Sequence, residues 1–253
     1  MAHSRACCSL CPAKETPLIF CFLLSKPDCL FIELDLKRVE RAFRGGRPIP
    51  GLRLAFWDAD GNLRVGITAS RPEPNPFLSW LEQGVYQLAQ QEGFLAGEEF
   101  INSVQEASNI GAVVVLGDRD FGVSMRRLAM AYKNTDIRNI IEADRVMTEM
   151  MKEQMPEMRQ WGKSKKPSKE DVRALIERLK TKEFVDRLMA TFKSFAPEVH
   201  TAMVKERDEY MSIGLDDLSP FQTVVAVMGL AHVNGVTRNL EAMGWRRIRQ
   251  QTC

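Results

Sequence analysis

The chain has 253 residues, 45% apolar and 27% charged, enough to bury a sizeable core as one large α/β domain or two small ones. Lysine and arginine number 35 against 33 acids, a balance that argues for neither nucleic acid nor an anionic lipid surface as a partner. The longest apolar runs, Pro17 to Leu24 and Thr223 to Ala231, fall far short of the ~20 residues that a membrane-spanning helix needs, so no span is expected.

Residues 1–26 are poor in acids and show no clear periodicity, and they read as a divergent N-terminal segment. Five of the six cysteines lie before position 30 and the sixth is Cys253. That is no disulfide framework for a folded body, and it points to a reducing, intracellular compartment. Cys8 and Cys11 make one CxxC, but Cys21 and Cys29 do not supply the second pair of a zinc knuckle.

A strand is predicted over 29–34, CLFIEL, running apolar into Glu33 and Asp35, with a short helix over 36–43 after it. Residues 44–51, RGGRPIPG, are loop chemistry. Residues 52–57 and 63–68 flank a turn cluster containing Asp60-Gly61 and predict a hairpin. Helices are expected over 77–92 and 97–109, then a strand over 111–116, GAVVVL, which runs into Gly117, Asp118 and Arg119. Helix then strand with short connections is the rhythm of a parallel sheet.

From 124 to 214 the pattern is almost entirely helical, with Ser168 and Thr181 placed as N-caps and Pro197 in the first turn of a further helix. In that last helix Val199, Met203 and Tyr210 define an apolar stripe. At about 100° per residue, Glu206 and Arg207 flank the stripe while Lys205, Asp208 and Glu209 point away. Two charges beside an apolar stripe need partners, in each other or in another polar group.

Residues 223–228 then read as a fully buried strand that breaks at Gly229 and delivers His232 three residues later. If the three apolar strands are parallel, Glu33, the Asp118-Arg119 pair and His232 lie beyond their carboxyl ends, the edge where open parallel sheets bind ligands. The expected fold class is therefore α/β, a mixed or mostly parallel central sheet with flanking helices and a helical segment over about 124–214.

Four blocks, PDCLFIELDLKR (27–38), GEEFINSVQEASNIGAVVVLGDRDFGVSMRRL (97–128), ERDEYM (206–211) and VVAVMGLAHVNGV (224–236), resemble in order and spacing the motifs of the TraB domain. That family includes pheromone-shutdown proteins of conjugative plasmids, the Tiki membrane metalloproteases and organelle-associated eukaryotic proteins. The resemblance covers roughly residues 27 to 247 and sets a TraB-type domain over 27–253 behind the divergent segment 1–26.

The resemblance implies a divalent metal, zinc, manganese or cobalt, held by His232 and Glu33, with Glu99, Arg119 and Arg127 assisting hydrolysis of a peptide-like substrate. It also matches Glu206-Arg207 to the family's ER pair. The family's first GxxH is absent, since residues 1–26 offer only His3 in MAHS. The alternative that the resemblance allows is a non-catalytic regulator or adaptor binding a peptide or protein partner, associated with an organelle such as the mitochondrial outer membrane or a plastid.

Overall fold

A computed structural model describes residues 6–8, 26–35, 38–39, 52–57, 62–65, 98–154, 156, 159, 168, 170–171, 174, 178 and 181–248. The helix expected over 77–92 and the turn at Asp60-Gly61 lie outside them. The chain forms two compact units. The first comprises residues 1–72, 97–121 and 207–253, and the second residues 73–96 and 122–206.

The first unit is built on a five-stranded sheet of order β4-β3-β5-β2-β6, where β2 is Cys29–Ile32, β3 Arg53–Trp57, β4 Leu63–Val65, β5 Val113–Leu116 and β6 Val224–Val227. β3, β5, β2 and β6 run parallel and β4 closes a hairpin antiparallel to β3. The α/β expectation holds. A separate parallel pair joins β1 (Ala6–Cys8) to β7 (Arg246–Ile248).

Strand alternation sends successive side chains to opposite faces, and each face has its own core. Leu30, Ile32, Leu54, Val114 and Leu116 pack with Val104 and Ala107 of α1 (Glu98–Asn109). Cys29, Phe31, Val113 and Val115 pack on the other side with Met211 and Leu215 of α6 (Glu206–Asp217) and Val236 and Leu240 of α7 (Leu230–Ala242). Burial and the neighbouring Asp28 charge push the Cys29 thiol up to about 12, so it behaves as an inert core group.

Two helices leave by the same device. Gly111 and Gly244 have positive φ, at 74° and 95°. The N–H groups of Ala112 and Trp245 bond back to the carbonyls of Ala107 and Leu240. This αL glycine cap turns the chain sharply out of a helix, and Gly111 thereby feeds β5.

The strand expected to be fully buried, β6, is the sheet edge, and its Ala226 is exposed. Helices on both faces of a parallel sheet demand an apolar strand at any position in the order, so composition cannot separate an edge from a centre.

The described residues of the second unit are mainly helical, with α2 (Phe121–Asn134), α3 (Ile137–Gln154), α4 (Lys182–Phe195), α5 (Pro197–His200) and a π turn (Thr201–Lys205). Thr181 caps α4 by accepting from the Phe184 N–H, and Pro197 opens α5, as expected. Ser168 accepts from the Asp171 N–H while Asp171 accepts from that of Ser168, a reciprocal cap. Ala131, Ala196, Val199 and Ala202 form a small core beside Leu128, Phe192 and Met203.

Gly117 directly follows β5, and a Cβ there would come within 2.0 Å of the fully buried Phe31 ring. Gly117→Ala is therefore expected to lower unfolding stability by ~1–3 kcal/mol, the usual penalty for overpacking a rigid core. Urea unfolding that matches wild type would show that this ring is not held where it is described.

Candidate functional site

The sheet register builds the site. Ile32 is level with Leu116 on one side and Val227 on the other. Glu33 and the residues following β5 and β6 therefore emerge at one edge, beyond the carboxyl ends of three parallel strands. Gly229 then starts α7 as its N-cap, which puts His232 in the first turn.

Glu33, Asp118 and His232 are all buried at this edge, as are Asp35 and Asp208. His232 Nε2 lies 3.4 Å from Glu33 Oε1. Of the groups expected to converge here, Glu33, the Asp118-Arg119 pair and His232, the structure brings together the side chains of Glu33, Asp118 and His232.

What stands between them is a guanidinium. Arg207 donates from Nε to Asp118 Oδ1 at 3.0 Å and from Nη2 to Asp118 Oδ2 at 2.7 Å, a two-pronged fork. The same Nη2 donates to Glu33 Oε1, and Nη1 faces His232 Nε2 at 3.0 Å. A second guanidinium, that of Arg38, reaches Asp118 Oδ2 and also donates from Nε to Asp35 Oδ2 at 3.2 Å.

Burial by itself would raise the Asp118 carboxyl, but the hydrogen bonds and charges of Arg207 and Arg38 prevail and hold it below the usual carboxylate range. Burial opposes the charge on Arg207, and the bonds and charges of Asp118 and Glu33 nonetheless raise its pKa.

The imidazole is clamped from both sides. His232 Nδ1 is 2.7 Å from Asp208 Oδ1. Because the arginine nitrogen can only donate, Nε2 accepts, and the ring proton sits on Nδ1 and is given to Asp208. Glu33 is equally engaged, since its Oε2 accepts the Gly229 N–H at 2.6 Å. A carboxylate at that position also meets the positive end of α7.

Asp208 was expected to point away from the apolar stripe, and it does not. The Glu206 N–H bonds to the Thr201 carbonyl, five residues back, so the helix preceding α6 carries a π turn. One extra residue per turn rotates everything after it by about 100°. Asp208 takes the place that regular spacing assigns to Arg207, and Tyr210 leaves the stripe to become 37% exposed. Arg207 does meet the rim, as its need for a partner implied.

Gly235 lies three residues after His232 on the same face of α7, and a Cβ there would fall 1.8 Å from Asp208 Oδ2. The glycine is what lets the carboxylate approach the ring. This spacing was the one trace of Asp208 that the sequence carried.

The other expected site residues have different surroundings. Arg119 contributes its backbone N–H to Asp118 Oδ1 at 2.8 Å, and the guanidinium between Glu33 and His232 is that of Arg207. Arg127 belongs to the second unit, where it pairs with Glu206 through Nε at 3.0 Å and through Nη2. Glu99 lies in the first turn of α1, with its side chain outside the described residues.

A divalent metal does not fit this arrangement. His232 Nε2 and Glu33 Oε1, the two atoms that would hold it, both face Arg207, and a metal on them would sit against a buried positive charge. Among the described residues no group of three His, Cys, Asp or Glu side chains is arranged to hold a metal ion.

The comparisons with known proteins add little to the geometry. An uncharacterized protein of Methanocaldococcus jannaschii, MJ1365, is 25% identical over 160 residues, which is 62% of this chain and 35% of that protein. The chain thus spans about a third of the length of this relative. No family model and no solved structure matches.

Two outcomes follow from the site. Gly235→Ala should cost ~1–3 kcal/mol, and combining it with Asp208→Ala should cost less than the two separate losses added, because the clash needs both partners. Strict additivity in urea unfolding would place Asp208 away from Gly235. The second concerns pH. The depressed Asp118 contributes stability that is present above its unfolded value near ~3.9 and lost as pH falls through its lower folded value. Asp118→Asn should lose ~3–5 kcal/mol at pH 7 by leaving buried guanidinium charge uncompensated. It should also flatten the fall of stability below about pH 4, and an acid limb as steep as that of wild type would assign the transition to other carboxylates.

Proposed function

We propose that this chain is a TraB-type α/β domain that works as a non-catalytic binding module, a regulator or adaptor for a peptide or protein partner. The family half of the reading is supported by the four ordered blocks, whose charged members Glu33, Asp118, Arg207 and His232 belong to one cluster.

The non-catalytic half rests on a single observation. Both candidate metal ligands are already engaged inside the protein, His232 by Asp208 and Arg207, and Glu33 by Arg207 and the Gly229 N–H. A general base needs a lone pair within reach of a substrate proton, and here that lone pair faces a guanidinium. Among the described residues no helix is long and apolar enough to cross a membrane. Association with an organelle surface, as the resemblance implies, would then run through a partner or through residues outside these helices.

One feature favours the metal-dependent hydrolase as a second reading. A carboxylate bonded to Nδ1, as Asp208 is to His232, is the usual support of a metal-ligating histidine and leaves Nε2 turned toward Glu33. Removing Arg207 from between them would be the requirement.

Peptide-library cleavage by the purified full chain, with zinc, manganese or cobalt supplied in turn, separates the two. No product above the protein-free blank is expected with any of the three metals. Cleavage that His232→Ala abolishes would return the hydrolase to first place.

A further inference from the structure

We infer that Arg207 is the resident cation of this rim, a covalently attached positive charge that does the work a bound divalent ion would do and excludes one. This concerns which cation holds the site together, and it stands whether or not a partner binds there.

The donors gathered at the edge have the chemistry of a cation site. They are two carboxylates, Glu33 and Asp118, and an imidazole oriented by a third, Asp208, all at most 8% exposed. Buried carboxylates stay ionised only beside a counter-charge. Arg207 supplies it and bridges β2, β5 and α7 from α6 through Glu33, Asp118 and His232.

At least four of the guanidinium's five N–H bonds are engaged with these groups. The fork matches the Asp118 carboxylate in its plane, which a lysine ammonium cannot do. A metal entering would have to take the same Glu33 and His232 atoms from hydrogen bonds already made, and would then face the displaced charge at close range. The two cations are therefore alternatives.

Among the described residues, Glu33 and His232 offer a metal two ligands, fewer than the three that catalytic zinc usually takes. The guanidinium needs no further ligand, because Asp118 completes its set.

The test uses the full chain as wild type, Arg207→Lys and His232→Ala, with metal content by elemental analysis and thermal midpoints in chelator and in added zinc, manganese or cobalt. Wild type should carry less than a tenth of an equivalent of metal, with a midpoint moved by neither chelator nor metal. Arg207→Lys should lose several degrees in both media, since an ammonium cannot reproduce the two-pronged bond to Asp118 while also reaching Glu33 and His232. A full equivalent of metal in wild type that His232→Ala removes would overturn the inference, and so would a midpoint that falls in chelator.

Should Arg207→Lys not fold, the ring nitrogen resonances of wild-type His232, assigned by their loss in His232→Ala, carry the decision. They should keep the Nδ1–H tautomer and stay put as zinc is added. Migration of the Nε2 signal with zinc would sink the proposal.

Discussion

The Asp118–Arg207 ion pair is the constraint on which the candidate site depends. The Asp118 side chain is only 1% exposed and that of Arg207 12%, and a charge so far from water is stable only when fully paired. Asp118 meets the requirement with two guanidiniums and a backbone N–H, and Arg207 with two carboxylates and an imidazole. Glu33, Asp118, Arg207 and His232 come from four separate segments, so satisfying these charges aligns the ends of β2 and β5 with the starts of α6 and α7.

Glycines set how closely these parts approach. Gly117 leaves room for the Phe31 ring beneath the rim, Gly229 gives its N–H to Glu33, and Gly235 admits the Asp208 carboxylate. A methyl group at positions 117 or 235 would occupy space that belongs to a buried ring or a buried charge. Here glycine acts through the absence of Cβ, whereas at Gly111 and Gly244 it acts through positive φ.

The proposed binding module rests on this closed network. Asp208, His232 and Glu33 have the composition of acid-base machinery, but composition does not decide availability. Among the described residues, His232 Nε2 and both Glu33 carboxylate oxygens face protein donors, and such a network favours one defined arrangement.

By itself the sequence determined the five strands of the central sheet, the hairpin, the caps at Thr181 and Ser168, and the α/β class, because these follow from apolar runs and turn chemistry, whereas no such pattern marks the β1–β7 pair. It also placed Glu33, Asp118 and His232 at strand ends, and it showed that Arg207 would need a partner. Only the tertiary structure decided which partner. The π turn at 201–205 is invisible to a count at fixed helical spacing, and it moved Asp208 onto the histidine and turned Tyr210 outward. The edge position of β6 was hidden for a related reason, since helices covering both faces make edge and central strands equally apolar. Which cation fills a ring of buried acids depends on distances between groups as far apart in the chain as Glu33 and Arg207, 174 residues, and no local pattern encodes them.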